Sequence, residues 1–189
     1  ASAFEGEIIR RGDMQVEFDG SRVDCCELVQ TKDASEVEDH KIELIGPDID
    51  EFEVGSKHSI AYVVEVAGKS MQPDFEPVFE RKFHSYLNCI EGVMHTGQRD
   101  MIRIRVSKEA FNAGFRAKHF GEVLYAQVKN EFEAVVDKCQ VKIYTNPEDC
   151  TKIRHEIAIP VFDKRDERLS TMTDESVPVY YSCIMCQAF

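Results

Sequence analysis

Cys183 and Cys186 stand two residues apart at the end of an apolar run, Val177 to Ser182, and only Gln187, Ala188 and Phe189 follow them. Two thiolates are half of a structural zinc site, and half of the four-cysteine set that holds a cubane iron–sulfur cluster. The same spacing serves thioredoxin-like dithiols, where the pair opens a helix. Three residues are too few to make one, so half a metal site is the better reading and a small thiol oxidoreductase the alternative. The chain then reads as a fragment cut through a metallocentre. Cys25, Cys26, Cys89, Cys139 and Cys150 fall in or beside predicted elements, where buried, inert thiols are expected.

A second concentration of chemistry is electrostatic. The 189 residues carry a formal charge of −12, which argues against general nucleic-acid binding, since phosphate contacts need clustered Lys and Arg. Residues 1–60 hold 16 acidic and 6 basic residues, whereas residues 99–119 hold 2 acidic and 6 basic. That basic island suits either a small polyanion or an internal salt-bridge network. Arg103 and Arg105 share one face of a strand, so they can meet successive phosphates. His95 lies in a polar segment, Val93 to Asp100, that leads into the island and is expected to form a loop with a ligand contact. No glycine-rich phosphate loop, hydrolase-type serine motif or clustered histidine set is present.

The elements that must position these residues are legible from periodicity. Short strands are predicted over Met14–Phe18, Cys25–Gln30, Lys41–Ile45 and Ile60–Val66. A helix should start at Asp74, with Pro77 in its first turn, and end at Gly92. Met101 to Val106 alternates as a half-buried strand does, and Ser107 is placed to cap a short helix stopped by Gly114. A long helix over Ala117–Asp137, a strand over Cys139–Thr145 and a helix opened by Asn146-Pro147 follow. Strand–helix–strand–helix implies a right-handed crossover in a small parallel sheet. Pro160 should kink or end the last helix, which Arg165 to Leu169 resumes. The expected class is α+β: a β-rich N-terminal lobe (1–68) packed on a small α/β lobe (69–176) with a short parallel sheet, then the start of a further domain (177–189). No apolar run approaches the roughly 20 residues of a membrane span. The seven cysteines, an odd number with two adjacent, and the lack of a signal-peptide pattern fit a reducing cytoplasm.

Tyr180-Tyr181-Ser182-Cys183-Ile184-Met185-Cys186-Gln187-Ala188-Phe189 resembles the segment of CO-methylating acetyl-CoA synthase that brings the first two cysteines to its nickel–iron–sulfur cluster. The stretches Ile45 to Asp50, Met71 to Pro77, Glu91 to Asp100, Arg105 to Phe111 and Arg165 to Leu169 resemble the same enzyme in one register. The resemblance implies a middle domain truncated just inside the cluster domain. It implies an intact acyltransferase that makes acetyl-CoA from a corrinoid-borne methyl group, CO and coenzyme A, using nickel and a 4Fe–4S cluster. Its implied partners are the corrinoid iron–sulfur protein and the carbon monoxide dehydrogenase subunit. By position Cys183 resembles a cluster ligand and Cys186 the ligand whose sulfur bridges to the reactive nickel. Phe189 resembles an aromatic over that nickel. Arg99, Arg103, Arg105, Met94 and His95 fall where coenzyme A contacts are implied, although the family often has tryptophan at the position of Met94. The fragment itself is expected to bind rather than catalyse, or to act only as a structural interdomain module.

Overall fold

A computed structural model describes residues 12–20, 24–69, 75–98 and 101–173. Among these residues, eight strands form two four-stranded sheets. The first, in the order β4-β1-β7-β6, contains β1 (Met14–Asp19), β4 (Ser56–His58), β6 (Val93–Gln98) and β7 (Met101–Ser107). The second, in the order β2-β5-β8-β3, contains β2 (Cys26–Thr31), β3 (Lys41–Ile45), β5 (Ala61–Ala67) and β8 (Lys138–Tyr144). Both sheets are mixed: β1–β4, β2–β5 and β3–β8 run parallel, while β1–β7, β6–β7 and β5–β8 run antiparallel.

Helices pack on both faces of the second sheet. Helices α1 (Glu76–Asn88) and α3 (Ala117–Glu131) share one apolar core with the inner faces of both sheets. Phe120 of α3 packs edge-on against Phe18 of β1 at 6.4 Å and Tyr62 of β5 at 5.9 Å, so one ring ties the sheets together. Gly121 allows this approach, because a Cβ there would lie 2.5 Å from Ile42 and 3.1 Å from Ile143. The other face of the second sheet buries Cys26, Leu28, Ala61 and Val63 under Cys150, Ile153, Ala158 and Phe162. These come from α4 (Pro147–Lys152), a π-helical turn (Ile153–Ala158) and α5 (Ile159–Thr171). Covered on both faces, β5 reads as a nearly continuous apolar run. Ser107 caps the short helix α2 (Lys108–Asn112) by accepting from Ala110 N at 3.1 Å.

The α+β class holds, and several local expectations change. Strands from before and after residue 68 share each sheet, because β7 pairs with β1 and β8 with both β5 and β3; a boundary at 68 runs through both. For the same reason β7 and β8 are not one crossover unit. They belong to different sheets, with α3 passing between. Val93–Gln98 is a strand, not a loop: Val93 and His95 face inward while Met94 and Thr96 face outward, and Val93 to Gln98 pair residue by residue with Val106 to Met101. The long helix ends at Glu131, where Val135 and Val136 turn back to donate to Phe132 O. Pro160 does not break the last helix. Proline lacks the donor an α-helix needs, and the wider π turn immediately before it carries the chain through. The proposed cap Asp74 lies outside the described residues.

Candidate functional site

The edges of the two sheets meet at a polar seam. Strand β2 is the outer strand of one sheet and β6 of the other. Glu27 of β2 reaches across to His95 of β6, with Oε1 2.5 Å from Nε2. The imidazole is fully enclosed and its Nδ1 has no partner among the described residues. The Nε2–H tautomer fits this setting: it donates to Glu27 and leaves Nδ1 a lone pair rather than an unmatched donor. Gly97 makes room for the pair, since a Cβ there would stand 2.9 Å from His95 Cε1 and 3.2 Å from Glu27 Oε2. The Asn88 side chain, at the end of α1, accepts from His95 N at 2.7 Å and donates to His95 O at 3.1 Å. His95 is thus engaged with Glu27, and its enclosed ring is not presented to a ligand.

Helix α1 also seals the edge of β2. Glu80 Oε1 accepts from Val29 N at 3.0 Å, and Glu76 Oε1 accepts from Thr31 N at 2.8 Å. These acids are four residues apart on α1, matching amides two apart on the strand. Arg165 of α5 completes the group, donating to Glu80 Oε2 at 2.8 Å, Glu76 Oε2 at 2.7 Å and Val29 O at 3.3 Å. Burial pushes the Glu80 carboxyl up to about 7, against the pull of Arg165 and Val29 N–H. Burial alone would lower Arg165, but its two carboxylates hold it above its ordinary value. One guanidinium shared by two acids stays charged and leaves the more buried acid under-compensated. Beside this cluster lies a cleft of about 820 Å3 between α1 and α5, with Glu27 and Gly97 on its wall and Arg81, Arg154, Arg165 and Phe162 among its lining.

The basic island lies on the outer face of the first sheet, away from the cleft. In register, Arg105 sits between Glu17 and Met94, and Arg103 between Asp19 and Thr96. Arg105 Nε pairs with Glu17 Oε2, and Arg103 Nη2 with Asp19 Oδ2 at 3.2 Å. Lys57 of β4 approaches Glu17 at 2.9 Å and Asp19 at 3.5 Å. Glu17 and Asp19 have 1% and 0% side-chain exposure, against 40% for Arg103 and 21% for Arg105. Burial raises the Glu17 carboxyl, but hydrogen bonds from Lys57 and Arg105 outweigh it and hold the group below its ordinary value. The structure therefore brings Met94, Arg103 and Arg105 onto one face, where buried acids orient the arginines. Arg99 lies outside the described residues.

Cys183, Cys186 and Phe189 also lie outside the described residues. Among those described, no group of three or more His, Cys, Asp or Glu side chains is arranged to hold a metal ion. Burial pushes the Cys25, Cys26 and Cys139 thiols up to about 12, and Cys150 is raised further by the same cause. They stay thiols at neutral pH and are poor metal ligands. Cys89 is the exception to the expected burial, being exposed. Among the described residues, then, none of the buried thiols offers a soft-metal donor. No described helix is long and apolar enough to cross a membrane.

Sequence reasoning missed Glu27, Glu76, Glu80 and Arg165. A lone acid in the apolar run of β2 and an i, i+4 acidic pair flanking an apolar helix face were the available signals.

Comparison with known proteins bears on the whole chain. Residues 1–150 match the family described as CO dehydrogenase/acetyl-CoA synthase complex beta subunit, and residues 162–189 match the family described as the C-terminal part of the ACS/CODH beta subunit. The carbon monoxide dehydrogenase/acetyl-CoA synthase subunit alpha of Moorella thermoacetica is 49% identical over 187 residues, covering 99% of this chain and 26% of that protein. The acetyl-CoA decarbonylase/synthase complex subunit beta 2 of Methanocaldococcus jannaschii is 46% identical, over 98% of this chain and 38% of its own length. The subunit beta of Methanopyrus kandleri is 44% identical, with 98% and 39% covered. The chain thus spans between a quarter and two fifths of these relatives. Matched across its β-rich and helical parts alike, it belongs to the CO dehydrogenase/acetyl-CoA synthase complex beta subunit family.

Proposed function

We propose that this chain serves acetyl-CoA synthesis or cleavage as the part of the subunit that presents coenzyme A and the first two thiolates to the reaction centre. Similarity to acetyl-CoA synthase subunits along nearly the whole chain carries this reading. Cys183 and Cys186 would hold one side of a nickel-bearing iron–sulfur cluster, with Cys186 the bridge and Phe189 shielding the metal. Such a centre supplies a soft, low-valent metal at which methyl and carbonyl groups join. Two thiolates are half of what it needs, so this chain by itself binds rather than catalyses. The corrinoid iron–sulfur protein, the carbon monoxide dehydrogenase subunit and a cytoplasmic setting belong to the same proposal.

The outer face of β7 supports the binding role. Arg103 keeps 40% of its side chain exposed while anchored to Asp19. Phosphates of coenzyme A would meet Arg99, Arg103 and Arg105, with Met94 in the neighbouring row offering apolar contact to the rest of the molecule. Calorimetry with this chain should give weak coenzyme A binding that falls with salt and with Arg103→Ala; no heat at millimolar ligand refutes the binding role.

One observation favours a second reading for the same arginines. Glu17 and Asp19 are enclosed beneath them, so the island also serves as an internal brace for the first sheet. Charge reversal at Arg103 separates the two: a brace loses stability with no change in ligand affinity.

A further inference from the structure

An edge strand offers unpaired backbone groups that must be covered or bonded. Along the outer edge of β2, Val29 N, Val29 O and Thr31 N are taken by the side chains of Glu80, Arg165 and Glu76. Arg165 also binds both acids, so it ties the seal on α1 to α5. Two are on α1 and one is on α5, and Glu80 and Arg165 line the cleft between these helices. Glu76, Glu80 and Arg165 are each 9–13% exposed, and the cluster carries two carboxylates against one guanidinium. A proton taken up by one carboxylate makes the buried cluster neutral.

We propose that the Glu76–Glu80–Arg165 cluster is a proton-linked latch that holds α5 on the free edge of β2 and thereby closes one wall of the cleft. Proton uptake tightens the latch, and proton loss favours release of α5. The charges around Glu80 support this direction. Glu76, one turn away on α1, adds to the rise at Glu80, and Glu27 of β2, hydrogen-bonded to His95 of β6, and Asp163 and Asp166 of α5 line the same cleft. Arg81 of α1 and Arg154 of the π turn oppose them, and Arg154 is already engaged with Cys25 O at 2.7 Å. Cys26, below Glu80 on β2, is held as a neutral thiol by burial.

The sign follows from linkage. Glu80 is raised to about 7 when docked, whereas in water it returns to the ordinary carboxylate range. A group whose pKa is raised in the docked state stabilises that state below its ordinary value, and the benefit is lost as pH rises through 7. Between pH 6 and pH 8 the docked-to-released ratio should fall about tenfold.

Amide exchange followed by NMR tests the latch. Protection factors at Val29 and Thr31 should drop about tenfold from pH 6 to pH 8, while Val64 of the central strand β5 holds constant. Glu80→Gln, which imitates the protonated acid, should keep both amides protected at either pH. A flat profile in the parent chain, an equal drop in Glu80→Gln, or a uniform loss across the sheet overturns the proposal. Carboxyl 13C titration of the parent chain gives an independent reading: a Glu80 midpoint near 7 supports the latch, and one below 5 overturns it.

Discussion

Replacing Arg105 by alanine tests how far the basic island is a brace. The substitution strips a guanidinium from Glu17, whose side chain is 1% exposed. Removing one partner of a buried ion pair costs about 3–5 kcal/mol, because the other charge is stranded. Here Lys57 remains 2.9 Å from the second carboxylate oxygen, and Arg105 itself is 21% exposed. The lid over Glu17 is one side chain deep, so water enters once it is gone, and we expect a loss of about 2–3 kcal/mol. For a chain of this size that lowers Tm by about 5–10 °C. The loss should also depend on pH. Glu17 is held below its ordinary value, so its contribution is present at neutral pH and disappears as pH falls through its folded-state value. Urea denaturation at pH 7 and pH 4 should show a smaller gap between parent and variant in acid, and adding Glu17→Gln should recover part of the loss at pH 7. A deficit below about 0.5 kcal/mol, the range of a surface pair, or one unchanged by acid, would refute the reasoning.

Gly97→Ala forces a methyl group between His95 and Glu27; overpacking of this kind should cost about 1–3 kcal/mol, read as a lower urea midpoint with unchanged slope. An unchanged midpoint would mean that the seam has slack to take up a methyl group. Coenzyme A binding should respond more strongly to Arg103→Ala than to Arg105→Ala, because Arg103 is the more exposed of the two; equal losses would point to a general charge effect.

Much of this fold was legible because alternation and helical spacing survive wherever an element has one buried face. Lys41–Ile45 and the Ser107 cap emerge where the pattern put them. Val93–Gln98 was obscured because its inward positions are Val, His and Gly, and only the first carries an apolar side chain. The pairing of β7 with β1 and of β8 with β5 and β3 joins residues 71 to 99 positions apart, which no local pattern records. Pro160 misled for a related reason: its local effect is a broken helix, and burial of Ile153, Ala158 and Phe162 against β2 and β5 overrides it through a π turn. At the site, the residues with distinctive chemistry drew attention, whereas Glu27, Glu76, Glu80 and Arg165 are ordinary charged residues until the fold buries them together.

The central proposal, that Cys183 and Cys186 would serve as the soft-metal ligands of this chain, is tested most directly by anaerobic titration with Co2+, whose thiolate charge-transfer absorption reports cysteine coordination. The buried thiols are held protonated, with Cys25, Cys26 and Cys139 up to about 12, and Cys89 is exposed but solitary. The band should therefore appear in the parent chain and in Cys89→Ser, and be lost in Cys183→Ser and in Cys186→Ser. A band that persists in both of those variants would contradict the account.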